Sequence, residues 1–463
     1  MTTPKIYNNI DEVLKLYPTI YYENSRTKNA KLQKFSDTLY VSPNVFATTK
    51  DGTSLWQQSY KAAQITLQYL SYLGESFGIK FYIAVYEDGK LKHFVKYIQE
   101  PKETVEQHYR NLGSNLGKIL DKKSNFKPYE INALKHKKLE LMNCILQDKP
   151  ESDEKHQYHS LLERLSEKNL IPDGMYIFSL RDTLLIHKYK HPWVNFWVTE
   201  EKLVDPYSNK CNKARSPKDF WYEENAKLLP IFNTTGGKDY YDIPIVEYES
   251  LNYINDITFR FKNKYEFVNK DFNSKIPKAI FRGSATGCGY DEENVRLHLA
   301  KIASGQLGNE VSKLLDVGIT SGKRKFIYNS HGKIGVLDLD AYLKAYDIKR
   351  GEFMDKPTQS NYKYILVAEG NVSAHRIGSD LLLHSVMLLI DSMYTVWCSH
   401  LMIPYVHYIP IKADLSDLGS QLKYCESNPK KMEAIARESY ELGKQLMKYK
   451  TLEINIIDSL RLV

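Results

Sequence analysis

The sequence predicts an α/β protein, and three junctions carry that prediction. In the first, Tyr364–Ala368 is a short apolar, partly β-branched run broken by Glu369-Gly370-Asn371. A helix from about Ala374 to His384 follows, capped by Ser373, and then a second apolar run, Val386–Ile390. Strand, tight turn, helix and strand make a βαβ unit. In the second, the strand Ala279–Phe281 enters the glycine loop Arg282-Gly283-Ser284-Ala285-Thr286-Gly287, with a helix over Asp291–Ile302 behind it. In the third, Met175–Leu180 is of strand type and ends at Arg181-Asp182.

Length and composition set the frame. At 463 residues the chain has room for about three domains. The formal charge of +8 is modest for that length and comes without a dense Lys/Arg block. It suits anionic ligands such as nucleotides, and the lack of a basic stripe argues against a nucleic-acid-binding protein. The five cysteines, Cys144, Cys211, Cys288, Cys398 and Cys425, are scattered and form no CxxC pair, which argues against a disulfide framework and a structural zinc site. MTTPKIYNNIDEVLK has no apolar h-region, and SLRLV carries no retention or lipidation signal. The longest apolar run, Leu381–Ile390, is interrupted by His384 and Ser385 and is too short to span a bilayer. The expected setting is therefore reducing and cytoplasmic, with no transmembrane segment.

In chain order, residues 1–150 read as a separate α+β module. Leu55–Leu73 is helical in period, two alternating runs flank Asp88-Gly89 as a hairpin, and helices are expected near Val105–Leu120 and Tyr129–Leu146. The module holds no catalytic constellation; it reads as scaffold or as a docking unit for a protein partner. After a polar linker at Lys149–Glu154 comes a helix over about Lys155–Lys168, then the Met175–Leu180 strand. The expected divisions are 1–150, 151–275, 276–446 and a C-terminal tail, 447–463.

Each candidate site has an ordinary reading beside the functional one. Arg376 sits in the first turn of its expected helix, where a cation opposes the dipole; either a phosphate sits there, or Arg376 pairs with Glu369 or Asp380. Asp182 lies just past a strand's carboxyl end, where functional groups collect in α/β sheets, but ordinary loop aspartates also sit there. The loop Arg282–Gly287 either admits a ligand close to its backbone or is a plain turn. Asp338-Leu339-Asp340 has the form of a metal-chelating DxD, yet lies in an alternating run where solvent-facing acids also occur.

Taken in order, IFRGSATG, NYKYILVAEGNVSAHR and LMIPYVHYIPIKADLSDL resemble glycosyltransferase family 90. That family includes the Rumi-like protein O-glucosyltransferases and the capsule-associated xylosyltransferases. IPDGMYIFSLRD, LPIFN and DIPIVEY are weaker matches, and the likeness covers roughly Asn169–Leu446. The resemblance implies a GT-B architecture, two Rossmann-like domains facing a cleft, with residues 1–150 as an extra module. It implies inverting transfer of glucose or xylose from a UDP-sugar to a hydroxyl on a protein or glycan, with no metal or other cofactor. By the same resemblance Asp182 is the general base. Arg282, Gly283, Ser284, Arg296, Asn371, Val372, Ser373, Ala374, His375 and Arg376 bind the donor, Arg376 and the helix N-terminus holding the diphosphate. Asp242 and Tyr248 belong to the acceptor groove. The alternative is a non-catalytic UDP-sugar or partner-binding protein descended from a transferase.

Overall fold

The computed structural model describes residues 20–23, 32–34, 81–99, 153–180, 184, 230–237, 240, 242–255, 271–287, 294–305, 308–321, 324–328, 334–370 and 372–460. The expected helices at 55–73, 105–120 and 129–146, together with Asp182 and Asn371, lie outside these residues. The chain divides into two compact units. One comprises Met1–Pro206, Asn212–Ile245 and Ile456–Val463, the other Tyr207–Cys211 and Val246–Asn455.

The first unit is built on a sheet of seven strands. They are β1 (Ile20–Glu23), β2 (Leu32–Lys34), β3 (Phe81–Glu87), β4 (Lys90–Gln99), β5 (Gly174–Ser179), β6 (Ile231–Asn233) and, after the two-residue β7 (Gly236–Gly237), β8 (Asp242–Pro244). Their order is β2-β1-β4-β3-β5-β6-β8. The β3–β4 hairpin turns at Asp88 and Gly89, whose φ values of 54° and 66° suit a type I′ turn. Asp173 clamps that turn by accepting from Asp88 N at 3.0 Å and Gly89 N at 2.7 Å. Helix α1 (Asp153–Glu167) buries Tyr158, Leu161, Leu162 and Leu165, one stripe at helical spacing.

Two observations concern the expected divisions. The hairpin was assigned to a module ending at residue 150, yet β3 pairs antiparallel with β5 from Tyr82↔Phe178 to Tyr86↔Gly174. The second edge of β3 needs a hydrogen-bonding partner, and β5 supplies it; hairpin and β5 therefore share one sheet. The β5–β6 and β6–β8 pairs are parallel. The two compact units divide at 245/246, within the stretch expected as 151–275.

The second unit begins with α2 (Tyr248–Asn255) and continues through β9 (Ile276–Gly283), α3 (Val295–Ala303), α4 (Asn309–Ser312) and β10 (Leu315–Ile319). The antiparallel ribbon β11 (Arg324–Tyr328) and β12 (Ile334–Asp338) follows, then α5 (Leu339–Ala345), α6 (Lys356–Gln359), β13 (Tyr362–Val367), α7 (Ile377–Leu381) and β14 (Val386–Ile390). The short β15 (Tyr394–Thr395), β16 (Tyr408–Ile411), α8 (Leu418–Ser427) and α9 (Pro429–Leu446) follow, and α10 (Tyr449–Leu460) begins in this unit and ends in the first. Residues 447–463 were expected as a tail, but α10 buries Leu452, Ile456 and Leu460 on one face.

Five strands of this unit form a wholly parallel sheet in the order β10-β9-β13-β14-β16. Counted along the chain that order is 2-1-3-4-5, so the direction of winding reverses between β9 and β13. In open α/β sheets ligands bind outside the carboxyl ends of the strands at such a switch point. The strands are near-continuous apolar runs, as strands covered on both faces require: Ile365, Leu366 and Val367 of β13 and Val386, Met387 and Leu388 of β14 are all buried.

Helix α7 is shorter than the sequence suggests, five residues rather than about eleven. His384 adopts a left-handed φ of 50°, which ends the turn. The buried Lys275 ammonium then donates to Leu383 O at 2.9 Å, His384 O at 2.7 Å and Ser385 Oγ at 3.0 Å, giving two carbonyls beyond the helix end a partner.

Candidate functional site

The site grows from the carboxyl ends of β9 and β13, both in the second unit. Beyond β9 the chain turns at Gly287, whose φ of 109° favours glycine. Asn294 then caps α3 by accepting from Arg296 N and Leu297 N, both at 3.1 Å. That cap sets Arg296 in the switch-point crevice. Its guanidinium donates to Glu369 O at 2.8 Å, Ser284 O at 3.0 Å, Thr286 Oγ1 at 2.6 Å and Ala368 O at 3.1 Å. One side chain thus ties the loop after β9 to the loop after β13. Gly370 makes this possible, because a Cβ there would lie 2.8 Å from Thr286 Oγ1 and 2.9 Å from Arg296 Nη2.

All four of those acceptors are neutral. Burial, and then the neighbouring Arg376, push the Arg296 guanidinium down to about 10, so it remains charged at neutral pH. Arg296 and Arg376 share the Phe281 ring, at 5.6 and 5.9 Å from its centroid. Two like charges held together in a partly desolvated crevice raise the local potential and favour an anion.

Arg376 resolves one of the open alternatives. Its Nε donates to Asp380 at 2.6 Å, its Nη1 to Arg282 O at 2.7 Å and its Nη2 to Gln359 Oε1 at 2.6 Å. Pairing with Asp380 is thus observed, and three of the five N–H groups of a guanidinium go to internal partners. Asp380 is buried and also takes the Lys356 ammonium. Burial works to raise the Asp380 carboxyl, but Arg376 and Lys356 outweigh it and hold it below the ordinary range. The dipole expected from a long helix is a correction too: five residues of α7 supply little of it.

The other candidate residues divide between these loops and the framework. Arg282 binds Asp316 of β10 at 2.7 Å, and Tyr362 OH donates to the same carboxylate at 2.5 Å. Arg282 therefore braces the β9–β10–β13 strands. Gly283 closes β9, and the Ser284 carbonyl serves Arg296. Val372 is buried, Ser373 and Ala374 line a cleft, and His375 Nδ1 lies 3.5 Å from Glu249 Oε2. Asp242 is buried in the first unit, accepting from Asn233 Nδ2 at 2.9 Å, whereas Tyr248 opens α2 in the second. Of the DxD pair, Asp338 closes β12, and Asp340 pairs with Arg350 at 2.6 Å.

The cleft has a volume of about 400 Å³ and covers the carboxyl ends of β13, β14 and β16. Val367, Ile377, Leu389, Tyr408 and Pro410 give it apolar walls, and Glu369, Ser373, Asp391, Ser392 and Lys412 are among its polar groups. That mixture is typical of a small-molecule site. Sequence reasoning missed Glu369 and Ser392 as cleft residues. Their signal was positional: each lies two residues past the end of an apolar strand.

The fold and site together define an α/β protein with a crevice at the switch point of a parallel sheet. The model of the family described as Glycosyl transferase family 90 matches residues 215–453, and the chain belongs to that family. Uncharacterized protein 035R of Invertebrate iridescent virus 3 is 31% identical over 313 residues, 65% of this chain and 26% of that protein. Protein O-glucosyltransferase 3 of Homo sapiens is 24% identical over 296 residues, 63% of this chain and 50% of that protein. The chain thus spans about a quarter of the viral relative and half of the human one. Sucrose-phosphate synthase (tll1590) from Thermosynechococcus elongatus overlaps with a TM-score of 0.28 at 8% identity, over 42% of this chain and 46% of that one. Among the described residues no helix is long and apolar enough to cross a membrane.

Proposed function

We propose that this glycosyltransferase moves glucose or xylose from a UDP-sugar to a hydroxyl on a protein or glycan, with inversion at the anomeric carbon. The observation that carries the reading is the crevice at the β9/β13 switch point, where Arg296, bonded to neutral acceptors, and Arg376 lie beside a cleft of nucleoside scale. The name of the human relative supports glucose as donor sugar and protein as acceptor.

In this mechanism the Asp182 carboxylate takes the proton of the acceptor hydroxyl, and the oxygen attacks the anomeric carbon from the face opposite UDP. The bond to the diphosphate breaks, and its electron pair leaves with UDP. The growing charge is met by Arg296 and by the two N–H groups of Arg376 that its internal bonds leave over. A planar fork suits diphosphate oxygens better than an ammonium does. Two fixed guanidiniums do the electrostatic work for which other transferases recruit a divalent ion, so the transfer is proposed to be metal-independent. The GT-B reading belongs to the same proposal.

The test is a panel of UDP-sugars, screened by thermal shift and then by release of UDP in hydrolysis. Stabilisation by UDP-glucose or UDP-xylose with slow turnover is the expected result. Stabilisation without any turnover, even with candidate acceptors, would favour the non-catalytic alternative.

A further inference from the structure

A buried acid beside the switch-point crevice has two cations for partners. Asp380 of α7 takes Arg376 Nε on one oxygen, at 2.6 Å, and the Lys356 ammonium on the other. Lys356 opens α6, where Asp355 is the cap and accepts from Thr358 N at 2.9 Å. Gln359 closes the same helix three residues on, and so shares a face with Lys356. Its Oε1 accepts from Arg376 Nη2 at 2.6 Å, and its Nε2 donates to Met354 O at 2.6 Å. The short α6 thus reaches Arg376 twice, directly through Gln359 and by way of Asp380 through Lys356.

A lone Arg376–Asp380 pair would orient the guanidinium, but it carries no net charge and leaves little field for an anion. The second cation changes that balance. Arg296, Arg376, Lys356 and Asp380 act on one another, and Glu369 acts on Arg296. Three cations against two acids leave one positive charge, and loss of the Lys356 proton leaves none. The other acceptors of Arg376, Gln359 Oε1 and Arg282 O, are neutral. Outside α6 the charges that bear on Lys356 are those of Asp380 and Arg376, while Asp355 on α6 is exposed and turned to Thr358 N. Burial lowers the Lys356 ammonium to about 8, with Asp380 acting to raise it and Arg376 to lower it further. Lys356 is therefore charged at neutral pH and gives up its proton in mildly alkaline solution.

We propose that Lys356 is a positioning residue of the anion crevice: by neutralising Asp380 it leaves the charge of Arg376 to an incoming diphosphate. The choice of a diphosphate rests on the UDP-sugar reading above. The need for Lys356 in holding an anion does not, and inorganic pyrophosphate tests it separately.

The experiment is calorimetric titration of the full chain, of Lys356→Met and of Lys356→Arg with UDP, inorganic pyrophosphate and uridine. Methionine keeps an apolar stem and loses the charge. Lys356→Met is expected to bind UDP and pyrophosphate about tenfold more weakly at neutral pH, and to bind uridine as wild type does. Arginine keeps a charge that does not titrate. Wild-type affinity for UDP should fall several-fold as pH passes through about 8, while that of Lys356→Arg holds. A side chain that merely fastened α6 to α7 would not give that contrast. An equal loss for all three ligands in Lys356→Met would overturn the proposal, as would no loss for either anion, or parallel pH profiles for wild type and Lys356→Arg. Should Lys356→Met fail to fold, the two pH profiles decide. Wild type that binds pyrophosphate but not UDP would sink the UDP-sugar reading, and the same contrasts read with pyrophosphate would still support or overturn the role of Lys356. Wild type that binds neither anion would overturn both.

Discussion

Replacing Arg296 by methionine tests whether the buried guanidinium holds the two site loops together. Three carbonyls, those of Ser284, Ala368 and Glu369, and the Thr286 hydroxyl oxygen would lose their donor. At about 1.5 kcal/mol for each bond to a charged group, the four amount to about 6 kcal/mol. Against that stands the cost of holding the cation in a buried site beside the Arg376 charge. Its depression to about 10 corresponds to about 3 kcal/mol. The hydrogen bonds win, and the expected loss is about 3 kcal/mol, or about 6–12 °C in the melting of a unit of this size. Arg296→Lys should fall between, since an ammonium keeps the charge but offers three donors from a single point. The assay is thermal unfolding followed by near-UV circular dichroism, with UDP affinity measured in parallel. Arg296→Met melting within about 2 °C of wild type, which is under 1 kcal/mol, would refute the reasoning.

The remaining predictions concern pH, packing and metal. Burial pushes the Glu247 carboxyl up to about 7 against the Ser250 hydroxyl and the His375 charge, so the folded chain keeps a proton that the unfolded chain releases near its ordinary value. Stability therefore falls as pH rises from about 4.5 to about 7, by about 3 kcal/mol in full. Glu247→Gln lacks that penalty, and its melting temperature should gain on wild type across that window; a constant difference would count against the buried acid. At Gly351 a Cβ would lie 2.4 Å from Gly318 Cα, a backbone atom that cannot rotate away. Gly351→Ala should cost about 1–3 kcal/mol by denaturant unfolding, and an unchanged midpoint would contradict the close approach. Transfer should persist in excess EDTA. Loss of activity there with rescue by Mn²⁺ would return Asp338 and Asp340 to consideration.

What could be read from the sequence was local. The turn at Asp88-Gly89, the apolar runs that became β9, β13 and β14, and the helix near Lys155–Lys168 all follow from periodicity and turn chemistry over a few residues. What could not be read depended on partners far along the chain. Nothing in the hairpin says that β3 will pair with β5, and nothing in Ala374–His384 says that Lys275 will hold its carbonyls and let the helix stop early. The site divides in the same way. Arg296 entered through the family resemblance alone, and the Ser373–Ala374 turn through a strand-to-loop junction that is visible in one dimension. The inward turn of Arg376 was visible only as an alternative, because an acid at i+4 is a partner on a helix surface whether or not it is buried. The contact between Glu369 and Ser392 went unremarked because the two meet only when β13 and β14 lie side by side.

The central claim is that an acid in the first unit and the cations in the second serve one transfer. The most direct measurement is UDP release and product formation by Asp182→Ala, with UDP affinity determined on the same sample. The account predicts that transfer is abolished while UDP binds as it does to wild type. Near wild-type transfer by Asp182→Ala would contradict it.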